Sequence, residues 1–170
     1  GGKGVEVTGF PDDLYMGGSN FGAWNTANIV QMAPVGAVGN GEFWRLCYLQ
    51  AGQTVEWAMA KDGSQAFSSL QTMQGVTVNS DGKATVNTSG LYLVYVNLDR
   101  KLIAFENPKV YASGTALGDN EQPVTVNGEN LSVETTETGK LNLFATSNNN
   151  ARNWTTMQFS IRNGKIVYPG

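Results

Sequence analysis

The chain of 170 residues contains no histidine and a single cysteine, Cys47. Without histidine there is no Ser-His-Asp triad and no Cys-His nucleophile. The usual nitrogen and sulfur ligands of zinc are missing for the same reason, so neither a metal nor another cofactor is expected. One cysteine makes no internal disulfide. Cys47 sits in the apolar run Glu42-Phe43-Trp44-Arg45-Leu46-Cys47-Tyr48-Leu49 and reads as a small buried hydrophobe. Charge is scarce too: 15% of residues are charged, against about 25% in an average protein. The 11 basic and 14 acidic residues give a net charge of −3, and Arg100-Lys101 is the only adjacent basic pair. The basic footprint of a nucleic-acid partner is therefore absent. No apolar run approaches the ~20 residues of a membrane helix, and no signal-peptide pattern is present.

What the chain does have is 21 glycines and many Asn, Thr and Ser residues, the composition of a turn-rich β protein. Short apolar runs with β-branched and aromatic residues recur between turn signals. They predict strands over 5–8, 14–17, 28–33, 42–49, 54–60, 75–78, 83–87, 91–98 and 101–106, and then over 109–113, 124–126, 131–135, 140–145, 155–162 and 165–168. The only helical signal is one turn over 64–71. Asn163-Gly164 is the strongest hairpin signal, because both residues tolerate positive φ. Asp81-Gly82, Asp99-Arg100 and Asn127-Gly128 punctuate other strand pairs. Many short strands at regular spacing argue for a sandwich or barrel.

Strand parity sorts the side chains. Val55, Trp57 and Met59 share one face, and Thr54, Glu56 and Ala58 the other, which turns Trp57 toward a core. Tyr92, Val94 and Val96 alternate with Leu91, Leu93 and Tyr95, so this strand is apolar on both faces and belongs in the middle of the fold. The two halves of the chain open alike, with Tyr15-Met16-Gly17-Gly18-Ser19 and Tyr111-Ala112-Ser113-Gly114-Thr115, and each closes on a hairpin. A boundary is expected at Asn107-Pro108, since proline suits a short stiff linker. The expectation is a β-sandwich over 1–107 and a smaller sandwich-like unit over 108–170, which relies on the first for part of its core.

Tryptophan and tyrosine are the main chemical assets. A sugar presents apolar C–H faces that stack on a flat ring, while amides and charged groups bond the hydroxyls at its edge. Trp24, with Asn25, lies in the small polar loop 20–26, and Trp154 follows the amide-rich loop 147–153 that contains Arg152. Lys61 and Asp62 follow the strand that carries Trp57. These seven residues are the candidate carbohydrate contacts. Against them stands the ordinary fate of an indole, which is burial, and of a Lys-Asp pair, which is a solvated turn. Glycoside hydrolysis would need two carboxylates about 5–9 Å apart. Most acids here lie in turns (Asp12, Asp13, Asp81, Asp99, Asp119) or polar stretches (Glu134, Glu137), and none sits in an aromatic pocket motif. No enzymatic activity is expected.

The order of several motifs carries a resemblance. Leu14-Tyr15-Met16-Gly17-Gly18 with Gly22-Ala23-Trp24, then Gly41-Glu42-Phe43-Trp44, Leu49-Gln50-Ala51-Gly52-Gln53-Thr54-Val55-Glu56-Trp57 and Gly90-Leu91-Tyr92-Leu93-Val94, resemble the repeated modules of SusE/SusF-like outer-membrane proteins of starch-utilisation systems. Gln158-Phe159-Ser160-Ile161 with Asn163-Gly164-Lys165-Ile166-Val167-Tyr168 resembles the end of such proteins. The resemblance implies Ig-like sandwiches, non-catalytic binding of starch or another polysaccharide or oligosaccharide, and glycan-uptake components as partners. It also implies display at the bacterial cell surface, with the membrane reached only through a lipid anchor before Gly1. The second unit departs from the pattern, because its loop Thr115-Ala116-Leu117-Gly118-Asp119-Asn120 has no aromatic residue. A structural spacer or an adhesin-like interaction module is the alternative from another class.

Overall fold

The computed structural model describes residues 10–65, 72–150, 153 and 155–168. The strand expected at 5–8, and all but the first two residues of the helical turn expected at 64–71, lie outside them. In chain order the strands are β1 (Tyr15–Gly17), β2 (Val30–Gln31), β3 (Ala33–Pro34), β4 (Glu42–Leu49), β5 (Thr54–Ala58), β6 (Thr72–Gln74), β7 (Thr77–Val78), β8 (Ala84–Thr85), β9 (Gly90–Asn97) and β10 (Leu102–Glu106). After Asn107-Pro108 come β11 (Lys109–Ser113), β12 (Gln122–Pro123), β13 (Thr125–Asn127), β14 (Asn130–Ser132), β15 (Asn142–Thr146), β16 (Gln158–Arg162) and β17 (Lys165–Val167). The protein is all-β, as its composition predicts, and among the described residues one short 3-10 turn stands at Thr115–Leu117.

The strands form three main sheets, ordered β2-β1-β5-β8-β7, β3-β4-β9-β10-β6 and β12-β11-β15-β16-β17, and a separate β13-β14 hairpin. The second sheet is the middle layer, and the pleat explains why. Successive residues of a strand point to opposite faces, so a strand apolar at every position is stable only when covered twice. From β9, Val94 and Val96 enter a core with Phe43, Leu49, Ile103 and Phe105 of their own sheet and Met16, Val55 and Trp57 of the first sheet. Leu93 and Tyr95 enter a second core with Trp44, Leu46, Leu102 and Ala104, together with Val110, Ala112, Leu143 and Phe159 of the third sheet. The third sheet thus packs against the middle sheet across this second core.

The chain's last strands seal an edge. β3 pairs with β4 only at Phe43 and Trp44, which leaves the Leu46 backbone without a ladder partner on that side. The Tyr168 hydroxyl supplies one. It accepts from the Leu46 N–H at 2.9 Å and donates to the Leu46 carbonyl at 3.1 Å. Burial, opposed by the nearby Arg45 guanidinium, pushes this phenol up to about 12. The Leu46 backbone groups, once satisfied, are not available to another strand. Asn163-Gly164 makes the predicted turn, with φ of 50° and 76° and Arg162 opposite Lys165.

Candidate functional site

Trp24 is the only candidate ring that the described structure leaves partly open. Its loop leaves β1 at Gly17 and is fastened to β5: the Ser19 N–H donates to Thr54 Oγ1 at 3.0 Å, the Asn20 N–H to the Thr54 carbonyl at 3.1 Å, and the Thr54 N–H returns to Ser19 Oγ at 2.8 Å. Farther along, the Asn25 N–H donates to the Lys61 carbonyl at 3.0 Å, which ties this loop to the one after β5. Asn25 takes a left-handed φ of 62°, a conformation its short amide tolerates.

The indole lies on the outward face of the first sheet, in a seat made by the absence of side chains. A Cβ on Gly17 would fall 2.6–2.8 Å from three atoms of the benzene half of the ring, and one on Gly63 would fall 2.6–2.8 Å from three atoms of the pyrrole half. Only glycine at both positions lets backbone and ring approach this closely. The Trp24 Nε1–H donates to Glu56 Oε1 at 2.7 Å, and Glu56 Oε2 meets Lys83 Nζ at 3.2 Å. Strand register creates this row: Gly17 lies opposite Glu56 across β1 and β5, and Val55 lies opposite Ala84 across β5 and β8. A charged acceptor makes the indole hydrogen bond a strong one, whereas the ion pair, 40% exposed at Lys83 and 20% at Glu56, is worth about 0–1 kcal/mol. With its N–H engaged, the indole has only its ring carbons left for further contacts. Asn25, Lys61 and Asp62 stand exposed near it.

The other candidates separate. Trp57 is 0% exposed in the first core, edge-on to Phe105 at 5.8 Å, which corrects the expectation of a sugar contact there: no ligand reaches it. Parity had already turned it inward. Its Nε1–H is buried without a hydrogen-bond partner among the described residues. Asp62 is occupied by its own turn, accepting from the Ser64 N–H at 2.9 Å and the Ser64 hydroxyl at 2.6 Å. The Ser64 hydroxyl, then its N–H, hold the Asp62 carboxyl below its usual range. Arg152 and Trp154 lie outside the described residues.

The amide-rich loop that leads to them is used internally. Glu106, 8% exposed at the end of β10, accepts from the Ser147 hydroxyl, from the Asn148 N–H at 2.7 Å and from Asn149 Nδ2 at 3.1 Å. Glu42 accepts from the Tyr95 hydroxyl at 2.7 Å and from Asn150 Nδ2 at 2.8 Å. Two carboxylates of the middle sheet thus fix this loop, and the Asn149 and Asn150 amides are spent on protein. The residues that sequence reasoning missed at Trp24 are Gly17, Glu56, Gly63 and Lys83. Glu56 was legible as outward-facing, but Lys83 reaches it through a strand register that no local pattern encodes.

The class these features define is a layered, mostly antiparallel β-sandwich with an aromatic ring seated on an outer face. No family model matches the chain. In sequence it is 30% identical to Outer membrane protein SusF of Bacteroides thetaiotaomicron, over 98% of this chain and 39% of that protein. In structure it superposes on the crystal structure of SusF from the same organism with a TM-score of 0.75 and 25% identity, covering 93% of this chain and 41% of that one. The chain therefore spans about two-fifths of the relative it matches, and the SusE/SusF-like resemblance read from its motifs is borne out.

Proposed function

We propose that this chain is a non-catalytic carbohydrate-binding module of a Sus-type glycan-uptake system, displayed at the bacterial outer membrane. The observation that carries the reading is the seat of Trp24. Two glycines and one carboxylate hold the ring in a single orientation before any ligand arrives, with part of it exposed. A preorganised ring loses little further freedom on binding, which is the economy a weak sugar contact requires. Asn25, Lys61 and Lys83 supply amide and ammonium groups for hydroxyls around it. Likeness to SusF supports the outer-membrane setting and, through the starch-utilisation resemblance, a glucan as first substrate to test. The whole protein would act with other uptake components and reach the membrane through a lipid anchor.

Affinity electrophoresis tests this directly. Native gels cast with starch, pullulan and other polysaccharides should retard the protein relative to a non-binding standard in at least one case. Uniform mobility in all of them would favour the spacer or adhesin-like module instead.

A further inference from the structure

We infer that the chain carries a second sugar contact at Tyr48, built jointly by the middle sheet and the β13-β14 hairpin, with a neutral oligosaccharide as its ligand. Trp44, Leu46 and Tyr48 point to the side of the middle sheet that the third sheet covers. Trp44 is 1% exposed, Leu46 is 4% exposed and Tyr48 is 42% exposed. The cover ends between Leu46 and Tyr48, which leaves Tyr48 the most open aromatic residue among the described ones.

Beside it stands the tip of the hairpin. Asn127 lies opposite Asn130 across the turn Gly128-Glu129, with Gly128 at a φ of 63°. Tyr48, Gln50, Asn127, Glu129 and Asn130 line one open pocket of about 530 Å³, within the ~300–1,000 Å³ of small-ligand sites. Among the described residues, no hydrogen bond occupies the side chains of Tyr48, Asn127, Glu129 or Asn130. The composition is that of a sugar site. A phenol ring offers a stacking face, three amides each donate and accept, and one carboxylate accepts from hydroxyls. No lysine or arginine lines the pocket. Glu129 therefore repels anionic glycans, and the neutral class is selected by charge.

The proposal rests on the reading that the chain binds glycan, but not on Trp24. Wild type, Trp24→Ala, Tyr48→Ala and the double variant are run on gels containing a neutral polysaccharide that retards the wild type, and on gels containing polygalacturonate. Circular dichroism confirms that each is folded; Tyr48→Phe serves as the variant that keeps the ring. Tyr48→Ala is expected to weaken association by about two- to thirteenfold, the range of one aromatic contact. Tyr48→Phe should stay near wild type, and the double variant should lose the retardation that Trp24→Ala retains. Loss in Tyr48→Ala with Trp24→Ala unaffected would sink the Trp24 reading and uphold this one. Unchanged retardation on adding Tyr48→Ala to either background would overturn it, as would preferential binding of polygalacturonate.

Discussion

Replacing Gly17 by alanine adds one methyl group to the seat of Trp24, and its effect can be worked out in advance. The new Cβ would sit 2.6 Å from Cζ2 and 2.8 Å from Cε2 and Cη2 of the indole. Carbon atoms are at their optimum about 3.5–4.0 Å apart, so the ring must move by roughly an ångström. That movement stretches the 2.7 Å bond from Nε1–H to Glu56. Gly17 carries no left-handed φ, so backbone strain adds nothing and the cost is steric. Overpacking of this kind costs about 1–3 kcal/mol, which for a chain of this size lowers Tm by roughly 2–12 °C. The decisive assay is a double-mutant cycle by thermal denaturation. The three nearest atoms to the added methyl all belong to Trp24. In a Trp24→Ala background the same substitution should therefore lose most of its penalty, and it can even stabilise, since glycine within a strand costs about 0.5–1 kcal/mol relative to alanine. Equal penalties in both backgrounds would refute the seat as described.

Two further outcomes follow from the cores. Glu106→Ala leaves the Asn148 N–H and the Ser147 hydroxyl without their acceptor; the loss of bonds to a charged group is expected to cost about 3 kcal/mol, or roughly 6–12 °C in Tm, and a shift under about 2 °C would mean the loop is not held there. Burial, offset in part by Arg45, pushes the Cys47 thiol up to about 12 from its ordinary 9.0. Below pH 9 the thiol is protonated in folded and unfolded chains alike, whereas above it only the unfolded chain ionises, so stability should fall as pH rises from about 9 toward 12. Cys47→Ala should make that part of the curve less steep, the remaining fall above pH 10 coming from the raised Tyr168 phenol, and iodoacetamide should label native protein at pH 8 far more slowly than urea-unfolded protein; equal labelling rates would contradict the burial of the thiol.

The layers were readable because periodicity carries them. The strand expected over 91–98 is apolar on both faces and so belongs in the middle, and alternate residues of β9, like those of β4, do enter opposite cores. Trp57 was turned inward by the same rule. The turns at Asp81-Gly82 and Asn163-Gly164 have the positive φ that their residue types favour, with Gly82 at 84°. Contacts between segments far apart in sequence were not readable. β6 pairs in parallel with β10, with Leu102 opposite Thr72, a match that turn chemistry cannot suggest. Lys83 meets Glu56 only through the β5–β8 register. The Asn-rich loop looked available for sugar because its acceptors, Glu42 and Glu106, lie more than 40 residues earlier in the chain. The exposure of Tyr48 was not readable either: it alternates in step with the buried Trp44 and Leu46, but the covering sheet stops short of it.

The central claim is that Trp24 is a prepared platform for a sugar. Calorimetric titration of the wild type and Trp24→Ala, using oligosaccharides cut from a polysaccharide that retards the wild type, tests it most directly. A ring at the heart of a contact is worth about 2 kcal/mol, so the account predicts that association falls by roughly thirtyfold, to the weaker binding that the Tyr48 contact sustains, while the circular dichroism spectrum stays unchanged. An association constant within a factor of about two of the wild type, in a folded Trp24→Ala variant, would contradict it.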